Sequence, residues 1–236
     1  MKKLIPAIAF VTGIFAFAVA CGSESSSGDG SSSSSSGSSS GNAGSTSSGG
    51  SSGQLIEAGG CQIQTLGYNE GTTVQSLPRA SEGQGGVKWT DLDNAKSTDK
   101  AFAKVVLAAG QESEELRVTG FNFKLPAGAV FQGVTVQVDR QAPDDGILDG
   151  AIALSGVKNQ VGRGKFIATP WPTTIVGVHH YGQPTDTWGM DLNPPDVETT
   201  DFGASIWVKR NPDGSGPAEA SALLDSIKIQ VAYCFN

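Results

Sequence analysis

Few residues in this chain have side chains that could do chemistry. Two histidines, His179 and His180, stand side by side, and three cysteines, Cys21, Cys61 and Cys234, are scattered over its length. Neighbouring side chains on a strand point to opposite faces. The two imidazoles therefore do not converge on one metal, and the four ligands of a zinc site cannot be gathered from this inventory. Nor do these positions define a Ser-His-Asp arrangement. The expectation is one ring tucked in and one solvated. Carboxylates are plentiful, 23 in all. A glycosidase needs two of them about 5–10 Å apart across a cleft, and with so many acids such pairs arise by chance in any fold. Asp91-Leu92-Asp93-Asn94 opens like a calcium loop, but Ala95 and Lys96 stand where an oxygen ligand and a glycine belong. Asp144, Asp145 and Asp149 flank a glycine turn. Calcium held between loops is one reading of them, and solvated turn aspartates are the simpler one. No catalytic residue, metal ligand or cofactor is assigned.

Two side chains are singled out by their parity. Arg140 continues the alternation of Val134, Val136 and Val138. That aims its guanidinium inward, where it needs a carboxylate partner, Asp149 or Asp225. Trp207 lies on the polar side of its strand. An outward indole can stack on a sugar or anchor a protein, which makes it a candidate ligand platform, or it can be covered by a loop.

The elements that must position these residues have a period of two. The runs 134–139, 204–209 and 227–233 alternate cleanly, and turn residues at 126–128 and 211–214 separate strands. Around Gly120 the apolar residues switch from even to odd positions, as at a β-bulge. The best helical candidate is one turn at 194–199, headed by prolines. This pattern predicts an all-β, antiparallel β-sandwich with a jelly-roll-like arrangement over 55–236. That stretch carries 14 basic and 21 acidic side chains. No basic surplus is available to neutralise phosphates, which excludes nucleic acid as the expected partner.

Residues 1–20 have another composition. Lys2-Lys3 precedes a mainly apolar run, 4–20, that is too short for the about 20 residues of a membrane span and reads as an export signal. The run ends in Ala18-Val19-Ala20-Cys21, which resembles the lipobox of bacterial lipoproteins, with Ala18 where leucine is usual. The resemblance implies acylation of Cys21, a membrane partner through the lipid, and a place in the bacterial envelope. Gly22 in place of aspartate implies sorting to the outer membrane. Residues 22–54 contain 18 Ser and 9 Gly among 33. Such a segment has no core to pack and reads as a disordered tether with a span of about 30 Å. Gly37-Ser38-Ser39-Ser40-Gly41 matches the serine-hydrolase elbow only by chance, because a serine tract supplies neither strand nor helix. With Cys21 acylated, Cys61 and Cys234 remain. In an oxidising compartment, at the opening and closing strands of one domain, they are expected to form a disulfide.

Several landmarks in the domain fit a known pattern: Trp89, Asn94-Ala95, Asp99 and Ala101-Phe102-Ala103; Gly120-Phe121-Asn122-Phe123-Lys124-Leu125-Pro126; Gly133 to Arg140; Trp171-Pro172, Tyr181-Gly182, Trp188-Gly189, Phe202-Gly203 and Asp225-Ser226-Ile227. Together, across 89–233, they resemble a jelly-roll-like sandwich module that recurs in bacterial surface and phage-associated proteins. That resemblance implies a fold and brings no activity with it. The expected function is a non-catalytic binding or structural module on a lipid-anchored stalk, its partner a glycan or a surface protein. The alternatives are a glycan-directed hydrolase or accessory carbohydrate-binding module, and a structural subunit of a surface assembly.

Overall fold

Alternating apolar residues become strands here because each strand buries one face and wets the other. The computed structural model describes residues 57–58, 60–79, 85–156, 163–213 and 217–235. The expected signal 1–20, Cys21 and the tether 22–54 lie outside the described residues. The strands are β1 (Glu57–Ala58), β2 (Cys61–Gln62), β3 (Gln64–Glu70), β4 (Thr73–Leu77), β5 (Ala103–Ala108), β6 (Glu115–Thr119), β7 (Val130–Gln141), β8 (Ile147–Ser155), β9 (Gly177–Gly182), β10 (Gly203–Arg210) and β11 (Glu219–Cys234). A 3-10 turn (Leu92–Ala95) and one short helix, α1 (Pro194–Val197), complete the described elements. No helix among the described residues is long and apolar enough to cross a membrane.

Two antiparallel sheets face each other, ordered β4-β6-β10-β8 and β3-β11-β7-β9, with β5 pairing the first half of β11. This is the antiparallel β-sandwich that the alternation predicts. Val134, Val136 and Val138 of β7 and Ile227, Ile229 and Val231 of β11 line its inside from one sheet. Leu116, Val118, Ile152, Leu154, Ile206 and Val208 line it from the other. All twelve are fully buried, each contributing about 1.5–3 kcal/mol of apolar burial. Trp89 and Trp188 are buried too, and their indole N–H groups donate to the carbonyls of Glu114 (3.0 Å) and Val134 (2.9 Å).

The facing switch at Gly120 is present, but it is not a ladder bulge. β6 ends at Thr119, Gly120 takes φ 78°, and the chain leaves the sheet. Leu116, Val118, Phe121 and Phe123 are all buried. A strand end with a left-handed glycine resets the phase as a bulge would.

The long β11 joins the sheet and ends at Cys234, which is bonded to Cys61 across 173 residues of sequence. β3 pairs antiparallel with β11, with Tyr233 opposite Gln64, so the chain just before β3 lies beside the end of β11.

Candidate functional site

Arg140 is fully buried in β7 and paired with Asp149 of β8. Asp149 also accepts hydrogen bonds from the Trp171 indole N–H (2.8 Å), the Tyr181 hydroxyl (2.7 Å) and the Ile167 amide (2.8 Å). The guanidinium faces the rings of Trp171 and Tyr181, at 4.9 and 5.7 Å. Burial lowers Arg140 to about 10, which leaves it charged at neutral pH, and raises Tyr181 to about 12. Both oxygens of the carboxylate are occupied and the cluster ties the two sheets together, while Nε and Nη2 of Arg140 are buried without a hydrogen-bond partner among the described residues. Asp225, the other partner weighed for Arg140, instead accepts the amides of Asp99 (3.2 Å) and Lys100 (2.9 Å). Burial, set against those two bonds, raises its pKa.

Trp207 is half-buried. Its ring lies against the Cα of Gly150, where an added Cβ would fall 1.9 Å from a ring carbon, and the Arg79 guanidinium sits over it at 4.0 Å. The indole is thus a packing partner of Gly150 and Arg79. Arg79 pairs with Glu112 at the edge of a groove with two lobes of about 320 and 300 Å³, which share Gly110 and Glu112. Among the described residues lining it, Glu112 is the sole carboxylate. The two-acid geometry of glycoside hydrolysis is not assembled there.

The aspartates of the two candidate calcium loops are taken up by separate partners. Asp93 pairs with Lys96 (2.7 Å), Asp144 accepts the Ser221 amide (3.1 Å), and Asp145 accepts the Gly146 amide (2.7 Å). Among the described residues no three His, Cys, Asp or Glu side chains come together as a metal site.

The outer face of the five-stranded sheet is built differently. Strand register places Glu70, Lys228, Gln137 and His180 in one row from β3 through β11 and β7 to β9. In the next row lie Gln230, Thr135 and Gly182. Above this polar floor the Tyr68 ring from β3 meets the His180 ring from β9, 5.6 Å apart and tilted by 58°. Three strand spacings of about 4.8 Å separate these strands, so both side chains must lie along the face. Tyr68 remains 38% exposed. The far end of the face is framed by Asp139, which accepts from Thr98 (2.9 Å), Ser226 (3.0 Å) and Gln137 (3.0 Å). Of the adjacent histidines, His180 is exposed on this face and His179, on the other side of β9, is half-buried. Burial first, then Arg140 and His180, lower the pKa of His179.

Tyr68 reaches this face through a bulge. Ile229 is opposite Asn69 and Val231 opposite Leu66, so Gly67 and Tyr68 together face the single residue Gln230. Without the extra residue, Tyr68 would share the inward parity of Leu66. Gly67, at φ 98°, makes the bulge possible; a Cβ there would lie 2.6 Å from the Ile229 carbonyl oxygen. The sequence signal was a glycine inside an alternating run, the same signal as at Gly120. Chemically the face offers aromatic edges and planes for apolar C–H surfaces, and carboxamide, ammonium and carboxylate groups for hydroxyls, the Lys228 ammonium and Glu70 carboxylate being paired with each other at 3.4 Å.

No family model and no curated protein matches this chain. Among solved structures it is similar to the crystal structure of a candidate glycoside hydrolase from Bacteroides vulgatus, with 9% identity and a TM-score of 0.34. The match covers 70% of this chain and 96% of that one. A likeness at that level carries no argument, and the sandwich assignment rests on the strand ladders themselves.

Proposed function

We propose that this chain is an exported bacterial lipoprotein, anchored at the envelope through Cys21. On its serine-glycine tether it displays one β-sandwich that binds a glycan without transforming it. The observation that carries the binding reading is the Tyr68–His180 pair over the Glu70–Lys228–Gln137 row on the outer sheet face. Sugars present C–H faces and hydroxyl edges together, and this surface offers partners for both. The anchor reading rests on the lipobox-like end of the apolar run.

The test is a glycan-array screen of the chain from residue 22 onward, repeated with Tyr68→Ala. Retention of a defined glycan set by the parent, lost in the variant and without release of new reducing ends, is the expected result. No retained glycan, or turnover of a retained one, would overturn the reading. The anchor is checked separately by fractionation, with Cys21→Ser expected to move the chain from membranes to the soluble fraction.

A further inference from the structure

We infer that the β9 side of the sandwich is a homodimer interface, in which the β9 edges of two copies pair antiparallel about a two-fold axis. β9 ends the five-stranded sheet and, among the described strands, pairs with β7 alone. A free edge presents a row of N–H and C=O groups able to accept another strand, and proteins commonly guard such edges with charge, proline or a bulge. β9 reads Gly-Val-His-His-Tyr-Gly and pairs with β7 without a register shift, so it has none of these guards.

Apolar exposure gathers on the same side. Ile175, Phe166 and Val178 are 68%, 65% and 55% exposed, the highest values among the exposed large apolar residues described. Val178 belongs to β9 and Ile175 lies two residues before it. Phe166 lies between Lys165, which bridges to Ile152 of β8, and Ile167, whose amide bonds to the Asp149 carboxylate that also holds Tyr181 of β9.

Charge selects the occupant. Residues 166–185 form 20 consecutive positions without Asp, Glu, Lys or Arg, the longest such run within 55–236. The molecule carries a formal charge of −7. Two copies carrying like net charge repel, and this stretch meets its twin with no Asp, Glu, Lys or Arg of its own to add to that repulsion. Identical antiparallel edges are also self-complementary about a two-fold axis, which is the geometry of an isologous dimer. The union would give one continuous ten-stranded sheet and set two Tyr68–His180 faces side by side. It does not depend on what that face binds.

Sedimentation velocity of the chain from residue 22 onward, over a wide range of protein concentration, tests this directly. The expected result is a monomer–dimer equilibrium. Val178→Lys and, separately, Ile175→Asp each place an unpaired charge in the interface and should weaken it about tenfold or more. Both positions are exposed in the single chain, so an unchanged melting curve shows that folding is intact. A monomer at every concentration, or a dimer indifferent to both substitutions, would overturn the inference. So would a monomer that instead accepts an extended apolar peptide along β9, which would make the occupant a foreign strand.

Discussion

A buried charge must be answered by its neighbours, and four donors surround the Asp149 carboxylate here. Removing the charge while keeping the shape, by Asp149→Asn, strands Arg140 in the interior. The expected cost is about 3–5 kcal/mol, read from the urea midpoint. The double variant Arg140→Met, Asp149→Leu should not recover that loss, because it leaves the Trp171, Tyr181 and Ile167 donors buried without an acceptor, at about 1–3 kcal/mol each. His179 supplies the pH dependence. Its lowered pKa means that the unfolded chain takes up its proton more readily. Its contribution is therefore complete above the unfolded value of 6.5 and is lost as pH falls from there through the lowered folded value. Thermal midpoints measured between pH 7 and mild acid should fall for the parent chain and fall less for His179→Gln. Parity along β7 was enough to aim Arg140 inward. It could not choose between Asp149 and Asp225, because Asp149 lies on β8 of the opposite sheet and Asp225 on β11 beside β7, and only the assembled fold turns one carboxylate toward the guanidinium. Parity likewise turned Trp207 away from the core, but nothing local announces that Arg79, 128 residues earlier, lies over its ring.

At the scale of the strand, the departures from regularity do the positioning. Gly67–Tyr68 opposite Gln230 turns an aromatic ring outward. Asp225 is the extra residue between Leu224 and Ser226 against β7, and its carboxylate collects two loop amides. Gly150 is the extra residue of β8 against Trp207 and Val208, and it leaves room for the indole. Gly150→Ala should therefore force the ring aside and cost about 1–3 kcal/mol, measured by denaturant unfolding. A smaller loss than that of an exposed glycine such as Gly85, which has no left-handed φ and nothing within 4 Å, would contradict this packing. Regular stretches such as 134–139 and 227–233 were legible because alternation is a local property. Bulges were harder to read. A glycine in an alternating run marks a change of phase, yet only the partner strand distinguishes a two-for-one pairing, as at Gly67, from a strand end, as at Gly120.

For the whole molecule, period-two alternation over 55–236 was enough to read the sandwich, since few architectures bury so many one-sided strands. The proposed binding face was not legible, because its rows are assembled from β3, β11, β7 and β9, strands far apart in sequence. The Cys61–Cys234 bond closes almost the entire sandwich into one loop. Chain entropy gives it roughly 5 kcal/mol at most, so reduction should lower the thermal midpoint sharply while leaving a folded state detectable in the cold. An unchanged midpoint on reduction would contradict that role. The central claim, that the outer face of the five-stranded sheet is the binding surface, is tested most directly by amide chemical-shift mapping. The chain from residue 22 onward would be titrated with the glycan that the array retains most strongly. The account predicts that the shifts concentrate at Tyr68, Gln137, His180 and Lys228 and vanish in Tyr68→Ala. Shifts centred instead on the Arg79–Glu112 groove, with the sheet face unmoved, would contradict it.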